Sequence, residues 1–295
     1  MTAGARGFLL LTGYLGDPER KPLTTAQFRE LTKRARAMER PNLDREMNPE
    51  DLIALGYGRT EALRILLLLS QEEQLQWYVG RGRKRGCTSV TRISPDYPEI
   101  LRQRLGMEAP GALWLKGNPN LLREPAVCLV GSRDLHPENL EFAREVGRQA
   151  ALQGKVLVSG NARGADRTAQ DSCLQHGGKV VVVVADELEK HTPHENVLYI
   201  SEEGYELKFS APRALNRNRI IHCLGSCTLV AQCTYKKGGT WDGTGKNLRH
   251  GWSPVFCFRD GSPSSLELAD MGAALIGPEA LSDLDGLQPE IPKLI

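Results

Sequence analysis

From Ala126 onward the sequence alternates short runs that are apolar at every position with longer segments of helical periodicity. "AVCLVG", "KVLVSG", "KVVVVVAD", "CTLVAQ", "PVFCF" and "AALI" are too short for helices and lack the polar alternation of a strand with one face in water. Strands of this kind are buried on both faces. Between them, Pro137 to Gln153, Asp166 to His176, Arg217 to Leu224 and Ser264 to Met271 read as helices. In the first of these, Leu140, Ala143, Val146, Gly147 and Ala150 form one stripe. The pattern predicts an α/β fold, a mostly parallel sheet with helices on both faces.

Residues 1–86 carry helical patterns punctuated by "RPNLD", "MNPED" and "LGYGR", so a small α-helical domain is expected before a sheet domain over 87–276 and an irregular tail over 277–295. "PEDLIALGYGRTEALRILLLL" reads either as a helix-hairpin-helix or SAM-like element whose amides meet phosphate, or as an ordinary helical hairpin. "RGRKRG", residues 81–86, reads as a basic connection between domains, solvated or in contact with phosphate. A short helix, a Pro/Gly turn and the strand "ALWLKG" lead into the sheet.

Charge is balanced, with 38 Lys+Arg against 36 Asp+Glu, so an anionic partner has to be recognised by local clustering. The 7 cysteines are scattered through apolar runs without a C-x-x-C pair and read as reduced core residues. The histidines show no metal-ligand spacing, and neither a metal nor a cofactor is expected. "GFLLLTGYLG" and "ILLLL" are too short to span a bilayer, and "DPERK" is a poor signal-peptide cleavage region; a cytoplasmic protein with no membrane partner is expected.

The chemistry concentrates in turns at strand carboxyl ends. In "GSRD", Gly131 lets backbone amides approach a phosphate, Ser132 offers a hydroxyl and Arg133 a forked cation. In "VSGNARGADR", Ser159, Gly160 and Gly164 can build an amide nest at a helix N-terminus, Arg163 and Arg167 add charge, and Asp166 stands where an N-cap belongs. The spacing is not the dinucleotide fingerprint G-x-G-x-x-G. In "RALNRNRIIHCLG", Arg213, Arg217 and Arg219 with Asn216 and Asn218 crowd the start of a helix, where cations oppose the dipole unless an anion or paired carboxylates offset them. "YKKGGTWDGTGKNLRHG" reads as a flexible basic loop with Lys236, Lys237, Lys246 and Arg249; its Trp241 either stacks on a base or covers the core.

Taken in order, these pieces resemble the DNA-processing protein A (DprA, or Smf) family, whose core is a Rossmann-like domain related to the nucleotide-binding SLOG group. The resemblance runs from Asp96 to Ile276: "VGSR" matches the first turn, "VSGNARGAD" the pattern S-G-x-A-x-G-x-D, "TPHEN" Y-P-x-x-N, "ISE" S-E, "NRNRIIHCLG" R-N-R-I-I-x-x-L and "GAALI" G-A-x-L-I. It implies a bacterial, cytoplasmic protein that binds single-stranded DNA without catalysis, forms homodimers through the core and helps load a RecA-type recombinase during natural transformation. By matching position, Ser132, Arg133, Ser159, Gly160, Arg163, Gly164, Arg217, Asn218 and Arg219 would hold phosphate; the residue reading adds Gly131, Arg167, Lys237 and Lys246. The chain departs from the pattern at Gln170, where the family usually has His, at Gln232, where Glu is common, and in "GGTWDGTGK", a loose match to S-G-S-L-x-T-A. The alternative is a small-nucleotide sensor or phosphoribohydrolase on the same fold. Related hydrolases follow G-G-x-G-T closely with Glu, and here only Asp242 is on offer.

Overall fold

The computed structural model describes residues 1–37 and 47–287. "RPNLD" and residues 288–295 of the expected tail lie outside them. Helices α1 (Ala3–Thr12), α2 (Thr25–Ala37), α3 (Pro49–Ala54), α4 (Arg59–Leu69) and α5 (Glu72–Lys84) come first. Asn48 and Asp51 close a capping box at the start of α3. In the α3–α4 hairpin, Arg34 donates to the carbonyls of Leu55 and Gly56 and lies over the Tyr57 ring, which holds the turn from α2. Most of the basic run 81–86 is helix, and only Arg85 and Gly86 connect α5 to the first strand. Arg81, Arg83 and Lys84 form the last turn of α5, where cations complement the helix dipole.

The sheet follows: β1 (Thr88–Thr91), α6 (Glu99–Leu105), β2 (Ala112–Gly117), β3 (Ala126–Val130), α7 (Pro137–Leu152), β4 (Val156–Ser159), α8 (Ala165–Gln175), β5 (Lys179–Val183) and β6 (Val197–Ser201). It is completed by α9 (Ala211–Leu224), β7 (Thr228–Val230), α10 (Gly238–His250), β8 (Val255–Phe258), α11 (Pro263–Asp270) and β9 (Ala274–Ile276). Strand order is β1-β2-β6-β5-β4-β3-β7-β8-β9. Pairing is parallel from β6 to β9, whereas β1 and β2 pair antiparallel at one edge. The mostly parallel sheet matches expectation; "TSVT" and "VLYIS" are strands that the apolar-run reading did not pick out.

Both faces are covered. Along β3, Val127 and Leu129 enter one core with Phe142, Val146, Ala169 and Cys173 of α7 and α8, while Cys128 and Val130 enter another with Leu101, Ile220, Ile221 and Leu268 of α6, α9 and α11. Period-two alternation into two apolar layers is why the middles of these strands are apolar on both faces. Leu9 and Leu10 of α1 and Leu75 and Tyr78 of α5 belong to the first core, so the helical segment packs onto the sheet; Leu31, Leu52 and Ile65 build a smaller cluster of its own. All seven cysteines are buried and free. Among the described residues no helix is long and apolar enough to cross a membrane.

The chain leaves β3 in one direction toward β4, β5 and β6, and later continues on β3's other side through β7, β8 and β9. The carboxyl ends of β3 and β7 are therefore adjacent while their loops diverge. An open α/β sheet forms its ligand crevice at such a switch point.

Candidate functional site

A crevice of about 450 Å³ opens at that point, walled by the Gly131–Asp134 turn, by α9 and by the turn from Thr234 into α10. A second cavity of about 310 Å³ adjoins it over the ends of β4 and β5. The two share Arg133, Ala162, Phe209, Ala214 and Arg217, so together they form one trough along the carboxyl edge of the sheet.

Two of the expected turns interlock to make its floor. Gly164 has φ 88°, and a Cβ there would collide with the carbonyls of Ser132 and Arg133. The Ala165 amide donates to Ser132 O at 3.2 Å. Glycine is needed for both the left-handed backbone and the close approach. Gln232, two residues beyond β7, fastens the first turn from its other side. Its carbonyl accepts the Ser132 amide at 2.9 Å and its side chain accepts the His136 amide at 2.9 Å.

Arg217 is the central cation. A side chain at Gly160 would occupy the place of the Arg217 guanidinium and the Asp166 carboxylate, so the glycine is the seat on which the guanidinium lies. Arg217 makes no hydrogen bond or ion pair among the described residues, and its Nε is buried without a partner. Desolvation holds its pKa below the ordinary value, opposed by Asp166 and Asp186. Burial pushes Asp166 up to about 6, against the opposing pull of Arg217 and of the Ala162 and Gly160 amides. Asp166 is not the N-cap of α8. That position belongs to Gly164, and the carboxylate reaches back to accept the Ala162 amide at 3.3 Å, shaping the 160–164 turn.

The other expected residues divide. Gly131, Ser132, Arg133, Asn218 and Lys237 line the trough, and Arg133 and Lys237 are free of ion pairs among the described residues. Asn218 also donates to Gly239 O at 3.1 Å, tying α9 to the start of α10. Arg163 lines the second cavity and pairs with Asp134 at 2.5 Å, both highly exposed, a contact weak enough to open for a phosphate. Four residues stand elsewhere. Ser159 is fully buried and its hydroxyl accepts from Gln170 at 2.5 Å. Arg167 is exposed on α8 outside both cavities. Arg219 turns away to Glu202 at 2.7 Å, and Lys246 pairs with Asp242 one helical turn back, also at 2.7 Å.

Two expectations about local structure need correction. Of the arginines of "RALNRNR" only Arg213 stands at a helix start: α9 begins at Ala211, capped by Ser210 with Pro212 and Arg213 in its first turn, so Arg217 and Arg219 lie well inside. "GGTWDGTGKNLRH" is not a loop but α10, whose first turn has no side-chain cap. Its unpaired amides and its dipole are therefore directed at the trough. Trp241 packs against the core and edge-on to Tyr235. The aromatic side chain that faces the trough is Phe209, 55% exposed, before α9. An isolated Phe between Lys208 and Ser210, outside any apolar run, was the sequence signal for it.

The comparisons with known proteins bear on the family and the fold. DNA processing protein DprA of Streptococcus pneumoniae is 35% identical over 144 residues, 44% of this chain and 50% of that one. DNA processing protein DprA of Bacillus subtilis is 26% identical over 167 residues, 53% of this chain and 56% of the relative. The chain thus spans about half the length of the curated relatives it matches. The X-ray structure of DNA processing protein A from S. pneumoniae superposes with a TM-score of 0.72 at 24% identity, covering 95% of this chain and 97% of that one. The same protein from Helicobacter pylori, described for its unique single-stranded DNA binding mode, superposes at 0.56 with 22% identity over 66% and 94% of the two chains. The family model for DNA recombination-mediator protein A matches residues 88–251, more than half of the sequence and the whole trough. The chain belongs to the DNA recombination-mediator protein A family.

Proposed function

We propose that the trough binds single-stranded DNA and does not turn it over. Phosphates rest on Arg217, Arg133, Lys237 and the amides that open α10, and Phe209 offers a base a stacking surface. The observation that carries this reading is Arg217: a desolvated guanidinium with no protein partner, held over a glycine at the switch point of the sheet. A partly buried cation without a partner is costly, and a polyanion in the trough supplies that partner. The family match and the DNA-binding description of the H. pylori relative support the choice of DNA. Recombinase loading, homodimerisation through the core and a cytoplasmic setting complete the reading on the family resemblance.

The test is a fluorescence-anisotropy titration of a labelled oligothymidine across a salt series. With about three to five phosphates neutralised, log affinity falls with log salt at a slope of roughly 2 to 4. Arg217→Ala lowers that slope by about one, whereas Lys246→Ala leaves it unchanged. A flat salt response would overturn the reading. The hydrolase alternative has no comparable support, because Asp242 is engaged by Lys246 and lines neither cavity. Incubation with nucleoside monophosphates is expected to release no base.

A further inference from the structure

One helical face remains outside the trough. Trp77, Gly80, Arg81 and Lys84 recur at i, i+3, i+4 and i+7 on α5, opposite the buried Leu75, Tyr78 and Gly82. Trp77 is 55% exposed. The Arg81 guanidinium lies 5.5 Å from the Trp77 ring centre, and neither Arg81 nor Lys84 has an ion pair among the described residues. Gly80 has open space where a side chain would stand, which leaves a shallow groove between these residues and Arg85. Arg85 is committed to Glu189 at 2.8 Å. Helix-dipole complementarity accounts for cations in this last turn but not for a large aromatic ring left in water beside them.

The groove is tied to the trough by one loop. Tyr205 donates to Tyr78 O at 2.8 Å and packs on Gly82 under α5. Four residues later the same loop carries Phe209 into the trough. An aromatic ring flanked by free cations is the chemistry of a sequence-tolerant single-strand platform, in which the ring stacks on a base while the cations take neighbouring phosphates.

We infer that the outward face of α5 is a second contact for the same DNA strand, with Trp77 stacking on a base and Arg81 and Lys84 holding the adjoining phosphates. This rests on the trough being the primary site. It predicts that a short oligonucleotide fills the trough alone and that a longer one also reaches α5.

The experiment compares oligothymidines of about 6 and about 20 nucleotides on the full chain, using wild type, Trp77→Ala/Lys84→Ala and Arg217→Ala, with thermal melts to verify that the substituted proteins fold. The double substitution is expected to weaken binding of the long strand about tenfold and to leave the short strand unchanged; Arg217→Ala weakens both. Trp77→Phe supplies a direct readout, because the part of the DNA-induced tryptophan quenching that appears only with the long strand is lost. Equal affinity of wild type and the double variant for the long strand, with Arg217→Ala still impaired, would overturn the α5 contact and leave the trough intact. Failure of wild type to bind either strand would remove both.

Discussion

Asp166 is the residue whose setting is hardest to explain by stability. It is 5% exposed, beside a partly buried guanidinium that it does not directly pair with, and burial outweighs that neighbour enough to push its pKa up to about 6. A carboxyl whose folded pKa is raised favours its protonated form. Its contribution is fully present below the unfolded value near 4 and is lost as pH rises through about 6. Asp166→Asn, which mimics the protonated form and keeps an oxygen for the Ala162 amide, is therefore expected to raise stability at pH 8 by about 2–3 kcal/mol and to flatten the change between pH 4 and pH 6. Urea unfolding at those pH values checks it, and an unchanged or lower midpoint at pH 8 would contradict it. The destabilising carboxylate is retained because it holds the 160–164 turn through the Ala162 amide. The sequence made the residue types of this site legible, because Gly, Ser and Arg at strand ends have few other uses. It did not separate Arg217 from Arg219, two positions apart. That separation follows from helical rotation: one side chain faces the trough and the other faces Glu202, and once the segment is known to be helix rather than turn the division is forced.

At the scale of elements, close helix approach decides where the trough walls stand. Gly147 of α7 lies so near α8 that a Cβ would collide with the backbone of Ala169 and come within 3.0 Å of the Cys173 amide nitrogen. Gly147→Ala is expected to force the pair apart and to lower stability by about 1–3 kcal/mol, read as a reduced urea midpoint with an unchanged slope. The α9–α10 pair is built the same way: Gly239 and Gly243 leave room for Asn218, Leu215 and His222. Below them His222, Thr228, Asn247 and Ser253 form a buried hydrogen-bonded cluster that joins α9 and α10 to β7 and to the turn leading into β8. This explains why α10 reads as a loop in the sequence. Six of its thirteen residues are Gly or Thr, a composition that disfavours a free helix, and only packing against α9 reverses the preference. β6 escapes the sequence reading because "VLYIS" sits between the polar segments "TPHEN" and "EEGYE", whereas the uniform apolar runs bounded by helical segments are legible.

At the scale of the molecule, one question is whether residues 1–86 behave as a separate body. Tyr78 of α5, Trp114 of β2 and Tyr205 of the β6–α9 loop pack ring on ring with centroids 4.7 to 5.1 Å apart. The Tyr78 hydroxyl donates to Glu206 at 2.6 Å. Arg20, itself buried, donates to Leu10 O and Leu68 O and so binds the ends of α1 and α4 into the same mass. A helical layer that shares its apolar core with the sheet cannot leave without exposing Trp114 and Tyr205 to water. Heating the chain is therefore expected to give one transition in which calorimetric and van't Hoff enthalpies agree. Tyr205→Ala is expected to move that single transition as a whole, by about 3–5 kcal/mol, because it removes the ring both segments rest on. Two resolved transitions, only one of them shifted by Tyr205→Ala, would show that the layer unfolds independently. The outcome bears on DNA binding, since Tyr205 belongs to the loop that carries Phe209. A single cooperative unit fixes the α5 face relative to the trough before any strand arrives, and a strand engaging both then gains the second contact without ordering the protein to reach it.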